Sequence, residues 1–189
     1  MCRIRIFYGS ARSAPPYFKV QNGCSLADGG GVGYNSGNPI MPTALVKSPA
    51  IDSRYTRYRL EIRSSRIHQR GVYTLERIPA RHKVIEYTGE RINRKETKRR
   101  GTGSITYLFT LDDYWTLDGA VGGSGAEIIN HSCDPNLYSC VFKGHILYLS
   151  KRVIEAGEEL TVDYRFSEKI EKVRCRCGSA LCRGTINLK

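Results

Sequence analysis

The segment Cys175-Arg176-Cys177-Gly178-Ser179-Ala180-Leu181-Cys182 places three cysteines in a C-x-C-x4-C motif, and this restricts the chain more than any other feature. Three thiolates at that spacing can occupy three corners of a zinc tetrahedron, and Gly178 permits the tight turn between them. The tail offers no fourth ligand. Cys2, Cys24, Cys133, Cys140 or a histidine are the candidates. Cys133 stands out because it lies between Asn130-His131-Ser132 and Asp134-Pro135-Asn136, residues suited to a turn. The seven cysteines are odd in number and clustered, and no apolar leader precedes them, so a disulfide framework is a poor fit. Free or redox thiols are the plainer alternative to a metal, but the spacing favours zinc.

The rest of the chain divides by composition. Residues 1–54 carry Pro15-Pro16, Gly29-Gly30-Gly31, Gly33, Gly37, Pro39, Pro42 and Pro49, and no helical or strand period persists. Such a segment buries too little apolar surface to offset chain entropy, so a disordered extension is expected, with Met41 an alternative start. From Tyr55 onward, short β-like runs alternate with turn signals. They are Leu60–Arg63, Gly71–Leu75, Val84–Tyr87, Tyr107–Leu111, Trp115–Asp118, His145–Leu149 and Glu159–Asp163. Arg91–Arg100 is polar and rich in helix formers and stops at Gly101, which suggests a short surface helix. The fold class expected is mainly β.

Charge and hydropathy narrow the partners. The formal charge is +12, from 30 basic and 18 acidic residues, which favours nucleic acid or acidic protein as neighbours. Arg94-Lys95 and Lys98-Arg99-Arg100 form the densest basic cluster, more often a solvated helix face than a binding site. No run approaches the roughly 18 apolar residues of a membrane span. Residues Met1–Tyr8 lack a signal-like apolar stretch. No membrane association and an intracellular location are expected, the nucleus or chromatin in a eukaryote and the cytoplasm in a bacterium.

Three motifs in order, Asn130-His131-Ser132-Cys133-Asp134-Pro135-Asn136, Gly157–Tyr164 and the cysteine tail, resemble the SET and post-SET signature of protein lysine methyltransferases. Ile67–Tyr73 resembles the family's first glycine motif, and Glu86–Glu90 and Tyr107–Phe109 resemble later strands. The likeness covers residues 58–188 and is closest to the Set1 and trithorax-like branch; compact bacterial SET proteins are also similar. It implies small β-sheets around a C-terminal pseudoknot, with a SET domain over 55–167 and a post-SET zinc segment over 168–189.

The resemblance also implies chemistry. The chain would transfer methyl from S-adenosylmethionine to a lysine of a histone or other basic protein, with chromatin association. Tyr164 matches the catalytic tyrosine; its ordinary pKa near 10 makes it a poor base, so positioning and electrostatic stabilisation are its role. Tyr87 and Tyr107 match walls of an aromatic lysine channel, where desolvation favours the neutral amine. Cofactor contacts carry over to His68, Arg70, Tyr107, Asn130 and His131, and Cys133 joins Cys175, Cys177 and Cys182 on zinc. Val162 stands where related enzymes often hold Phe or Tyr. Two positions depart from the family: Gln69 replaces a glycine, and Glu127 replaces an arginine. Asp112, Asp113 and Glu127 are candidate acids for a basic peptide. The competing readings are a catalytically weak SET module that only binds, and a zinc-containing nucleic-acid binder. The latter lacks a second close cysteine pair and leaves Glu159–Tyr164 unexplained.

Overall fold

A computed structural model describes residues 49–102 and 106–188. Cys2, Cys24, Met41 and the expected extension up to residue 48 lie outside the described residues. Residues 50–54 belong to the fold instead. Ile51 packs against the core, and the Asp52 amide donates to the Ser124 carbonyl at 2.9 Å.

The architecture is mainly β. In chain order, and among the described residues, the strands are β1 (Leu60–Ser64), β2 (Arg70–Thr74), β3 (Lys83–Tyr87), β4 (Glu90–Asn93), β5 (Leu108–Thr110), β6 (Trp115–Asp118), β7 (Asn130–His131), β8 (Leu137–Phe142), β9 (His145–Ser150) and β10 (Glu159–Val162). They form three small sheets, ordered β1-β2-β10-β7, β3-β9-β8 and β4-β6-β5. The sheets share one apolar core that includes Val72, Ile85, Phe109, Ile129, Ile146 and Leu160.

Helix α1 spans Arg94–Arg100, shorter than the Arg91–Arg100 run that composition suggested. Arg91, Ile92 and Asn93 pair instead with Leu117, Thr116 and Trp115 across β4 and β6. Asn93 starts the helix because its side chain accepts from the Glu96 amide, which satisfies one of the orphan donors of the first turn. The basic cluster is partly spent internally. Arg100 binds Glu90, Glu96 and Asp118, and Arg99 binds Glu96.

One pairing organises the site. Strand β10 is antiparallel to β2 through Leu160 and Val72 on one side. On the other side it is parallel to β7, with Thr161 opposite Asn130 and Val162 opposite His131. Beyond β10 the chain passes Tyr164, and Phe166 forms a parallel bridge to Asn187. Two segments distant in sequence thus lie side by side, as a C-terminal pseudoknot requires.

Candidate active site and cysteine cluster

Tyr164 is the common wall of two spaces. A cleft of about 270 Å³ is lined by Ile67, His68, Asn130, His131, Tyr164 and the tail segment Val173–Arg176 with Ile186. A much narrower slot is lined by Tyr87, Tyr107, Phe109, Glu127, Tyr148 and Tyr164, among others. The cleft can take a polar small molecule, whereas the slot is a narrow aromatic passage of about 10 Å³.

Tyr164 is fixed from two sides. Its hydroxyl donates to the Ile129 carbonyl at 2.8 Å, and its amide donates to His131 Nδ1 at 3.2 Å. A phenol that donates to a carbonyl turns an electron-rich oxygen towards its surroundings. The His131 ring lies 5.4 Å from the Tyr164 ring, and the Phe166 ring stacks on Tyr164 at 5.8 Å.

Because Nδ1 accepts from Tyr164, the neutral His131 ring carries its proton on Nε2, which lies 3.4 Å from Cys133 Sγ. Burial lowers the His131 pKa to about 4, against an opposing pull from Asp163. A single ring therefore connects the tyrosine to the cysteine cluster.

Asn130 is buried, and its side-chain nitrogen is held by the protein itself. Its Nδ2 donates to the Arg70 carbonyl at 2.9 Å and to Glu159 Oε1 at 2.8 Å. This clamp explains Gly71: a Cβ there would lie 2.1 Å from Glu159 Oε1 and 3.1 Å from Asn130 Nδ2. Gln69, two residues before Gly71, has φ 38°, left-handed backbone that favours glycine.

The expected cofactor residues separate. His68, Asn130 and His131 line the cleft. Arg70 opens β2, is exposed and is not among the cleft residues, while its carbonyl holds Asn130. Tyr107 lines the slot and not the cleft. The Tyr87 hydroxyl donates to the Tyr107 carbonyl at 2.5 Å, which locks two slot walls together. Full burial, then neighbouring Tyr148 and acids, hold the Tyr87 hydroxyl well above its usual pKa, so it stays a neutral donor.

Two charged cleft residues escaped the sequence reading, Arg174 and Arg176. They interleave with Cys175 and Cys177, and the only clue was that alternation. Of the acids suggested for a basic peptide, Asp112 spends one oxygen on the Tyr114 and Trp115 amides, each at 2.8 Å. Asp113 is exposed and outside both cavities. Glu127 alone reaches the slot.

The Sγ atoms of Cys133, Cys175, Cys177 and Cys182 all lie within 4.8 Å of one another. Cys133 and Cys175 are 3.7 Å apart, close to the edge of about 3.8 Å that a tetrahedron with 2.3 Å Zn–S bonds requires. Backbone amides of Cys177, Arg183 and Gly184 donate to Cys175, Cys133 and Cys182, a common way to stabilise thiolate. Burial alone would raise the Cys177 thiol, but backbone and sulfur hydrogen bonds outweigh it and bring the pKa to about 6. The donor set and spacing fit zinc. Among the described residues the remaining cysteine, Cys140, sits in β8 apart from this group, so no second cluster forms there as a ribbon-type nucleic-acid binder would need.

The model of the SET domain family matches residues 69–165. The chain is 42% identical over 132 residues to the histone-lysine N-methyltransferase trithorax of Drosophila virilis, an alignment that covers 65% of this chain and 3% of that protein. It is 36% identical over 145 residues to the histone-lysine N-methyltransferase set-2 of Caenorhabditis elegans, with 71% and 10% coverage. The chain thus spans a small fraction of the curated relatives it matches. Among solved structures it is similar to the crystal structure of KRYPTONITE in complex with mCHG DNA and SAH, with TM-score 0.59 and 27% identity, covering 69% of this chain and 29% of that one.

Proposed function

The chain belongs to the SET domain family, and we propose that it is a protein-lysine N-methyltransferase that takes its methyl group from S-adenosylmethionine. The observation that carries this reading is the position of Tyr164 between the cleft and the aromatic slot. A methyl donor in the cleft and a lysine in the slot would meet at that side chain, as an in-line displacement needs. Bound S-adenosylmethionine would supply an electrophilic methyl on a sulfonium.

The protein's own residues supply alignment and electrostatics. The oxygen of Tyr164, oriented by its bond to Ile129, offers partial negative charge to the positive charge passing through the slot. Tyr87, Tyr107, Phe109 and Tyr148 exclude water and hold a flexible side chain in line. His68, Asn130 and His131, with Arg174 and Arg176, line the cleft that receives the cofactor. A guanidinium from the tail suits the cofactor's carboxylate.

Zinc held by Cys133, Cys175, Cys177 and Cys182 would fold the tail over the cleft and couple metal binding to cofactor binding. The substrate class is a lysine of a histone or another basic protein, supported by the names of the relatives, and a chromatin location follows from that class. Among the described residues, no helix is long and apolar enough to cross a membrane.

The test is incubation with labelled S-adenosylmethionine and core histones, then acid hydrolysis and amino-acid analysis. Labelled methyl-lysine is the expected product. Its absence, in protein that still binds S-adenosylhomocysteine, would refute the assignment.

A further inference from the structure

We infer that Glu127 receives the ammonium of the substrate lysine in the slot and takes its proton before methyl transfer, an inference that rests on the methyltransferase reading above. Glu127 lines the same slot as Tyr164. Its Oε2 accepts from the Gly125 amide at 2.8 Å, and among the described residues no cation pairs with it. An unpaired carboxylate in such a site is costly, which is a reason to expect that an incoming cation answers it.

The adjoining loop leaves room for this acid. A Cβ on Gly123 would lie 2.6 Å from Glu127 Oε2, and one on Gly119 would lie 2.8 Å from both Glu127 Cβ and Tyr87 Oη. Burial raises the Glu127 pKa, against the two amides that favour its ionised form. The titratable groups around it are Tyr87 of β3, Tyr107 ahead of β5, Tyr148 of β9 and Tyr164 beyond β10. Asp118 of β6 lies nearby, already paired with Arg100 at 2.7 Å. Among the described residues that line the slot, Glu127 is the one carboxylate.

The chemistry balances. One N–H bond of the lysine ammonium breaks, and its proton forms an O–H bond on the Glu127 carboxylate. Two opposite charges in a dry slot thereby become a neutral acid and a neutral amine, the pair that low dielectric favours. The amine lone pair then forms the N–C bond to the methyl, while the C–S bond breaks and its electron pair stays on sulfur. The product is a methylated ammonium, and Glu127 returns its proton to solvent when that product leaves.

The experiment measures kcat/KM for methylation of core histones from about pH 6.5 to pH 10, with wild type, Glu127→Gln and Glu127→Asp. Each protein is also titrated with S-adenosylhomocysteine. Glu127→Gln is expected to lose about a thousandfold at pH 7 and to regain activity about tenfold per pH unit, approaching wild type near the free lysine pKa of about 10.4. Its S-adenosylhomocysteine affinity should be unchanged. Glu127→Gln that follows wild type at every pH, or that loses the same factor at every pH, would overturn the inference. If Glu127→Gln does not bind S-adenosylhomocysteine, Glu127→Asp decides: a loss at pH 7 that narrows as pH rises supports the role, and no loss, or the same loss at every pH, overturns it. Wild type without labelling at any pH would instead refute the methyltransferase reading, and this inference with it.

Discussion

Arg183 grips Asp163 at two points, Nη1 to Oδ2 and Nη2 to Oδ1, each at 2.9 Å. Asp163 precedes Tyr164, and Arg183 follows Cys182, so this planar pair joins the cysteine tail to the residue beside the site. The pair is four-fifths buried, and Arg183 Nε lies buried without a hydrogen-bond partner. Bidentate, charge-assisted bonds of this kind are the strong class.

Replacing Asp163 with Asn keeps the shape but removes the charge. We expect a loss of about 1.5–3 kcal/mol of stability, read from urea unfolding, and a weaker grip on S-adenosylhomocysteine because the tail loosens. An unchanged midpoint would mean that the pair contributes nothing beyond shape.

The backbone at residues 69–71 makes two opposite expectations. Gly71→Ala would drive a methyl into Glu159 and the Asn130 clamp, and overpacking of this kind costs about 1–3 kcal/mol. Gln69→Gly would relieve a left-handed residue and stabilise by up to about 1 kcal/mol. Thermal unfolding of the two variants should move in opposite directions.

Metal removal should act on the cleft as well as on the tail. One zinc per chain is expected by elemental analysis, and chelation should lower S-adenosylhomocysteine affinity because Val173–Arg176 and Ile186 line that cleft. Cys182→Ser should reproduce the effect. Zinc-free protein with unaltered affinity would separate the cluster from the cleft.

A pH effect comes from Glu158. Hydrogen bonds from Arg152, ahead of an opposing desolvation, hold its carboxyl below the usual value of 4.5. The folded state thus favours the ionised form, so the contribution is present above about pH 4.5 and is lost as pH falls through the lower folded value. The stability gap between wild type and Glu158→Gln should be widest near neutrality and shrink below about pH 4.5. Unfolding midpoints across that range check it, and a gap that widens in acid would contradict the sign.

Local chemistry explains what could be read in advance. Asn130–Asn136 and Gly157–Tyr164 were legible because each residue serves a short-range turn, strand or tyrosine position, and the period-two runs became strands within one or two residues. The start of α1 was misread because Arg91–Asn93 favour helix by composition, yet pairing with β6 overrides it. Strand β8 was largely missed, since Leu137–Phe142 shows its alternation only against β9. Arg174 and Arg176 reach the cleft because the tail crosses Ile67 and His68, a long-range contact that no local pattern states. Glu127 looked like a departure of sign, and only the fold brings it into the slot.

Single-turnover methyl transfer by wild type and Tyr164→Phe, each saturated with S-adenosylmethionine, bears most directly on the shared wall between cleft and slot. The expected result is a fall in rate of about 100-fold or more, the scale of losing an oxyanion-hole-type group, with S-adenosylhomocysteine affinity within about twofold of wild type. Equal rates for the two proteins would contradict the placement of the reaction at Tyr164.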